Sequence, residues 1–507
     1  MDLVPFSQCA LWHRQKEFFR AEGVEAWNGK VPFYITSNPY LAHSYATLIL
    51  RCLQDLRTRH GEGPVIVLEL GAGTGAFSYQ VLRCLAELME SCPMLAADLC
   101  YVMSDVAERN LEFWRTHPAL APFVERGLLD FALFDLAGTE PLRLDSGRSL
   151  SPSRPLVVIA NYVFDSLPHD LYRATPGEVE EVLVPATLEL PASDSVNGLT
   201  RLVPLPAGAR EEAIRSPRYG FAAVDEVLWQ RGGAMEGLFL FPGAALECLG
   251  RLRESVSPEV LVLVADKGAA DTAQTAETDR LTVGRHGGSL STLLDFGALE
   301  AFALRYDGDA FLRATEGIVI AAYSLGLRLR DLPEARLALV QFFGAFNPGH
   351  IYDVLNYFEE TKPRARLETL VALLELTLWD PFVFDRFFDV ILATLPYASG
   401  YALQKLMDNL PRIADSFFYL PAAADTFSQI GILLQERRRY EEALAAYGRS
   451  LEWHQGREDT FYNMGLCCYA LGRTDDAVSW FQEVLRLAPG YIKARGWIAQ
   501  IEHERLA

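Results

Sequence analysis

The segment Val65-Ile66-Val67-Leu68-Glu69-Leu70-Gly71-Ala72-Gly73-Thr74-Gly75-Ala76-Phe77 constrains the fold more than any other. An apolar, β-branched run ends at a carboxylate, passes into a Glu-x-Gly-x-Gly-x-Gly turn and continues as a helical pattern from Phe77 to about Glu90. That order reads as a buried parallel strand feeding a glycine loop and a helix. Glycines there let the backbone approach a ligand closely. Glu69, at the strand tip, can hold polar groups of that ligand.

Further runs repeat the arrangement. Leu99 to Ser104 ends at Asp105, placed to accept from ribose hydroxyls, and Leu128 to Phe134 ends at Asp135, placed near an adenine edge. Pro155 to Ala160 ends at Asn161, followed by Tyr162-Val163-Phe164-Asp165-Ser166-Leu167-Pro168-His169. A lone strand-end Asp is usually a turn former. An ordered set of polar strand ends predicts one crevice in a doubly wound α/β sheet.

Two cofactors compete for the loop. Gly71, Gly73 and Ala76 fit the dinucleotide pattern G-x-G-x-x-G/A, which would make the chain a nicotinamide-dependent oxidoreductase. That pattern wants an acid about 20 residues further on, and Asp105 comes much later. Glu69 would also repel a pyrophosphate at the helix N-terminus. S-adenosylmethionine (SAM) has no phosphate and carries a sulfonium and an ammonium, so a carboxylate beside the loop suits it better.

The set resembles class I SAM-dependent methyltransferases, and more narrowly the MidA family, the type that includes the mitochondrial complex I assembly arginine methyltransferase. That family carries Thr-Ser-Pro-Glu before the glycine loop, where this chain has Tyr34-Ile35-Thr36-Ser37-Asn38-Pro39-Tyr40. Its Glu-Leu-Gly-x-Gly-x-Gly matches Glu69 to Gly75, and its Ala-Asn-Glu-Phe-Phe-Asp-Ala-Leu-Pro matches Ala160 to Pro168. The resemblance spans roughly residues 25 to 325. It implies a Rossmann-like fold, SAM as cofactor, and Thr36, Ser37, Glu69, Gly71, Gly73, Gly75, Asp105, Asp135 and Asn161 as its binding residues.

The chain departs from the family where a substrate would lie. Tyr162 replaces the family Glu, a natural bidentate partner for a guanidinium. The family Asp-Tyr-Gly reads Asp266-Lys267-Gly268, and Gly284-Arg285-His286-Gly287-Gly288-Ser289 replaces a basic, glycine-containing segment. Asn161, Tyr162, Asp165, His169 and His286 are the candidates to border the transferred methyl. A helical turn after Asn161 would put Asp165 and His169 on one face.

Three zones follow from the patterning of the 507 residues. Residues 1 to 325 alternate strand and helix signals, with an insert at about 172 to 245 placed to cover the substrate. Residues 326 to 420 read as helical pairs punctuated by Pro348, Pro363, Pro381 and Pro396. In residues 421 to 507, Phe427, Gly431, Ala443 and Tyr447 return 34 positions later as Phe461, Gly465, Ala477 and Phe481. That period and residue set is the tetratricopeptide pattern, and Ile492 to Leu506 reads as a capping helix. Such repeats present a concave surface to a peptide or protein, and their alternative role is a scaffold or homodimerisation arm.

A net charge of −20 argues against nucleic acid, which needs a basic face. No apolar run reaches the roughly 18 residues of a membrane span. The cysteines are scattered without a C-x-x-C pair, which predicts no zinc site, no disulfide framework and a cytoplasmic setting. The expectation is a SAM-dependent methyltransferase whose repeats recruit a peptide or protein acceptor. The alternatives are a catalytically silent SAM-binding scaffold, motivated by Tyr162, and a methyltransferase of a small metabolite.

Overall fold

The computed structural model describes residues 2–27, 34–92, 99–148, 150, 154–189, 201–205, 207–269, 280–286, 288–314, 318–344, 348–454 and 456–506. They fall into two compact units, residues 1–353 and 354–507.

The first unit is built on a central sheet of β1 (Val65–Leu70), β2 (Leu99–Asp105), β3 (Leu129–Leu133), β4 (Leu156–Asn161), β5 (Val260–Ala269), β6 (Ala310–Ala314) and β7 (Ile318–Leu325). Their order across the sheet is β6-β7-β5-β4-β1-β2-β3. Neighbours from β5 to β3 run parallel, while β7 is antiparallel to both β5 and β6. The apolar runs are continuous because both faces are covered: Val67 and Leu68, on opposite faces of β1, are both fully buried. Strand order reverses between β1 and β4, which opens a crevice at their carboxyl ends. All the strand ends singled out from the sequence lie on that edge.

Two helices fix this edge. Helix α2 (Pro39–His60) follows α1 (Ala10–Glu22) and starts where Asn38 Oδ1 accepts from Leu41 N at 3.0 Å, with Pro39 in the first turn. Its buried side, including Leu41, Tyr45 and Leu48, packs on α3 (Ala76–Ser91), which leaves the glycine loop.

The insert expected at 172 to 245 is a second sheet. The hairpin Asp170–Thr175 and Glu178–Pro185 pairs with Gly237–Phe241 on one side and with Leu3–Pro5 on the other. The N-terminal strand therefore closes a sheet made some 180 residues later. A third sheet joins Arg201–Pro204, Arg280–His286 and Ser289–Thr292. The first unit also runs beyond residue 325, because helix Pro333–Phe343 packs on α2. There the Asp55 carboxylate accepts from Ala335 N at 2.9 Å, and Phe343 meets Tyr45 edge-on at 5.9 Å.

In the second unit, helices Leu367–Leu376, Pro381–Thr394 and Gly400–Ser416 precede the paired helices Thr426–Glu436 with Tyr440–Trp453 and Glu458–Ala470 with Thr474–Leu487. The 34-residue period has a direct steric cause. A Cβ on Gly431 would lie 2.5 Å from the Tyr447 ring, and one on Gly465 would lie 2.6 Å from the Phe481 ring. Small residue and aromatic thus interlock in each repeat. The preceding helices stack on the repeats through Phe417 against Phe427 at 5.0 Å, and Gln429 Nε2 donates to Asp385 Oδ1 at 2.7 Å. Ile492–Leu506 caps the array, with Trp497 against Phe481 at 6.2 Å.

Candidate active site

The glycine loop is held in a left-handed path, with φ of 61° at Gly71 and 56° at Gly73. Side chains rarely adopt that region. A Cβ on Gly71 would meet Val163 Cγ2 at 2.8 Å, and one on Gly73 would meet the Trp27 indole at 2.9 Å. The loop is pinned from β2, where Asp105 Oδ2 accepts from Gly73 N at 3.0 Å and Ser104 O accepts from Ala72 N at 2.9 Å.

A cavity of about 140 Å³ opens over this loop. Gly71, Asp105, Asp135, Tyr162 and Val163 line it from the sheet edge. Trp12, Lys16, Phe19 and Trp27 close the other side. The sequence reading missed this second wall entirely. It is set by Gln15, whose Nε2 donates to Ser166 O at 2.8 Å and whose Oε1 accepts from Leu290 N at 3.1 Å.

The expected cofactor residues take different places. Asp105 is at the cavity, where Oδ1 accepts from Ala107 N at 3.0 Å, and burial raises its pKa against these hydrogen bonds. Asp135 is also there, but its carboxylate is ion-paired with Lys16 of α1. Gly75, at φ 80°, caps the start of α3. Asn161 does not line the cavity. Its Oδ1 accepts from Tyr45 OH and its Nδ2 donates to Thr36 O, both at 3.0 Å, so it ties the end of β4 to the segment before α2. Thr36 is fully buried with its hydroxyl unpartnered, and Ser37 N donates to Tyr34 O at 3.3 Å.

Glu69 differs from the expectation. Its carboxylate turns inward and accepts from Tyr101 OH at 2.7 Å and from Ser78 Oγ. It does not line the cavity, and burial pushes its pKa to about 7. The acid nearest the loop on the cavity side is Asp105 instead.

The candidates after β4 also separate. Tyr162 lines the cavity with φ at 52°, a left-handed conformation that is an outlier for a bulky residue. Its N–H donates to Ala265 O at 3.0 Å, and Lys267 Nζ lies 5.6 Å from its ring centre. Asp165 is buried one layer behind the wall. His169 is corrected to a core position: fully buried, it stacks on Trp12 at 6.2 Å, and Nδ1 lies 2.9 Å from Leu167 O. Burial lowers its pKa to about 4, so it stays neutral. No α-helical turn joins Asp165 to His169, because the 3₁₀ turn Phe164–Ser166 ends in extended backbone at Leu167, just before Pro168. His286 ends the strand Arg280–His286, and its side chain lies outside the described residues.

The cavity suits an adenosyl group bearing positive charge. Its glycine cradle has room only for backbone, two carboxylates lie on its sheet side, and its other side is largely aromatic. Lys16 occupies the Asp135 carboxylate that faces this cavity. We expect Lys16→Met to tighten S-adenosyl-homocysteine binding several-fold, worth up to about 1 kcal/mol for this half-exposed ion pair. Isothermal calorimetry would check this, and weaker binding would show that Lys16 contacts the ligand itself.

Comparison with known proteins agrees. Residues 46–216 match a family of S-adenosyl-L-methionine-dependent methyltransferases, and residues 422–489 match the tetratricopeptide repeat. Among solved structures, a superfamily member from Burkholderia thailandensis bound to S-adenosyl-homocysteine is 16% identical; the match covers 61% of this chain and 73% of that one, with a TM-score of 0.39. An O-methyltransferase family protein from Burkholderia thailandensis is 10% identical over 64% of each chain, at a TM-score of 0.27. YrrB, a tetratricopeptide protein with an unusual peptide-binding site, is 17% identical, with 34% of this chain and 82% of that one covered, at a TM-score of 0.25. No curated protein matches the chain. The chain carries a SAM-dependent methyltransferase match at residues 46–216 and tetratricopeptide repeats at residues 422–489.

Proposed function

We propose that the chain methylates a peptide or protein that its helical repeats recruit. The observation that carries this reading is the presence of a methyltransferase domain and a peptide-recognition type of repeat in one chain. An enzyme acting on a free metabolite has little use for such repeats. A second, tethered contact raises the effective concentration of a macromolecular acceptor at the catalytic cavity. The net charge of −20 favours a basic or neutral peptide over an acidic one.

Methyl transfer is an in-line displacement that needs alignment, exclusion of water and a nucleophile relieved of its proton. Bound SAM supplies the activated methyl group. Gly71 and Gly73 would give it backbone contact, Asp105 would meet the ribose hydroxyls, and Asp135 would meet the amino edge of the adenine. Tyr162, Val163 and the aromatic wall of Trp12, Phe19 and Trp27 keep the reacting centre dry. Tyr162, in place of the family carboxylate, removes the bidentate partner of a guanidinium, so an acceptor other than arginine fits this site better.

The test is to incubate isotopically labelled SAM with lysate proteins and identify labelled residues by mass spectrometry. Label only in small metabolites would overturn the peptide reading. Substituting polar residues on the concave surface of the repeats should then leave S-adenosyl-homocysteine affinity unchanged and raise KM for the true acceptor with little change in kcat. Unchanged KM would assign the repeats to assembly instead.

A further inference from the structure

Behind the cavity wall, acids from two separate motifs meet. Asp165 and Asp266 come from different segments, the turn after β4 and the strand β5, and both side chains are buried, at 1% and 0% exposure. Asp165 N donates to Asp266 Oδ2 at 3.1 Å, and Lys267 N donates to Asp266 Oδ1 at 2.8 Å. The backbone of Asp165 thus holds the Asp266 carboxylate, which brings two buried acids together. Two ionised carboxylates this close and this dry repel one another, so the pair keeps one proton.

This pair reaches the cavity through one residue. Ser166 Oγ donates to Asp165 Oδ1 at 2.8 Å, and Ser166 lines the cavity. Thr292 Oγ1 fixes the backbone by donating to Asp165 O at 3.0 Å. We propose that Asp165 and Asp266 share one proton and, through the Ser166 hydroxyl, form the proton-accepting relay for the acceptor bound in this cavity. The proposal rests on methyl transfer taking place there.

The groups facing the pair are consistent with that role. The Lys267 ammonium, from β5, favours an ionised Asp165. The Tyr162 hydroxyl is held neutral by burial and by the nearby acids. His169, close to Thr292 Oγ1 at 3.4 Å, is neutral. Burial, offset in part by Lys267, leaves Asp165 with a pKa of about 6, while burial and the Asp165 charge push Asp266 well above the carboxylate range. At neutral pH Asp266 keeps the shared proton and Asp165 is the base.

The step balances. As the acceptor's lone pair forms the new bond to the methyl carbon, its proton passes to Ser166 Oγ and the Ser166 proton passes to Asp165. The electron pair of the broken carbon–sulfur bond stays on sulfur. The pair, now holding two protons, returns one to solvent after the product leaves. Ser166 touches the acceptor, Asp165 acts through it, and Asp266 is a positioning residue.

Two readouts test this. Difference infrared spectroscopy of wild type against Asp266→Asn at pH 8 needs no acceptor. A protonated carboxyl band should be present in wild type and lost in the variant, and its absence from wild type would overturn the proposal. The second readout is methyl incorporation from labelled SAM into lysate proteins, with S-adenosyl-homocysteine affinity as the control for folding. Asp165→Asn should lose about 100-fold in rate and Ser166→Ala at least about tenfold, both with unchanged ligand affinity. The wild-type rate should rise with pH through an acid limb near 6, and the residual rate of Asp165→Asn should not. Rates within threefold of wild type for Asp165→Asn or Ser166→Ala would overturn the relay. Wild type that binds SAM but labels no protein would sink the peptide reading, and the infrared band would still decide for or against the shared proton.

Discussion

A Gly73→Val variant should show no calorimetric binding of SAM or S-adenosyl-homocysteine, a loss of at least about 100-fold, or roughly 2.7 kcal/mol. The backbone at Gly73 has φ of 56°, and its N–H is committed to Asp105 Oδ2 at 3.0 Å. A β-branched side chain is a genuine outlier in that region. Its Cβ would lie 2.9 Å from Nε1 of Trp27, which lines the cavity opposite the sheet edge. The loop would have to leave its path, and the Asp105 carboxylate would lose one of the backbone donors that orient it. The strain is local, roughly 1–2 kcal/mol, against a domain stability of about 5–15 kcal/mol, so a cooperative melting transition should survive. Gly147→Val is the matched control. Gly147 has a similar φ of 71° but open space around its Cβ position, so it carries the backbone cost without a cavity contact and should bind normally. Retention of binding within threefold by Gly73→Val would mean that the ligand does not lie on this loop.

What the sequence showed of this site, and what it hid, divides by the range of the interactions. Strands β1, β2, β4 and β5 were legible because burial on both faces makes each a continuous apolar run, and the acid or amide at each tip is a local signal. The repeats were legible because glycine and aromatic interlock within each 34-residue unit, as Gly465 does with Phe481. The cavity's second wall was not. Lys16 meets Asp135 across 119 positions, and Gln15 meets Leu290 across 275. Nothing in the residues around Trp12 marks it as a cavity residue rather than core. Direction was hidden too. Glu69 alternates with its neighbours as any strand residue must, and whether it faces a ligand or the interior depends on Ser78 and Tyr101, which supply hydroxyls on the inner side. His169 follows the Asn161 motif and is a candidate from the sequence to border the transferred methyl, yet the strand Asp170–Thr175 begins immediately after it and it lies stacked on Trp12. The left-handed Tyr162 gave no warning, since that conformation is rare for tyrosine and its N–H bonds to Ala265 O, a partner about a hundred residues later in the chain.

The inward turn of Glu69 has a measurable consequence for stability. Burial raises its pKa from the ordinary 4.5 to about 7, only partly offset by the Ser78 and Tyr101 hydroxyls. The folded protein therefore holds this proton more tightly than the unfolded chain does. The associated stability is fully present below pH 4.5 and is lost as pH rises toward 7, where the loss levels off. At about 1.4 kcal/mol per unit, the full loss is on the order of 3 kcal/mol. A Glu69→Gln variant stays neutral throughout, and its amide oxygen can still accept from both hydroxyls. Urea unfolding of both proteins from pH 4.5 to 8 should show a difference that grows across this window, with the variant the more stable at pH 8. Other buried acids that do not interact with Glu69, Asp165 among them, also titrate with folding, but they are present in both proteins and cancel in the difference; the Asp105 charge, which raises the Glu69 pKa, is part of the effect measured. A constant difference from pH 4.5 to 8 would place the Glu69 carboxylate in solvent or against a bound cation, and the inward hydrogen bonds to Ser78 and Tyr101 would then be wrong.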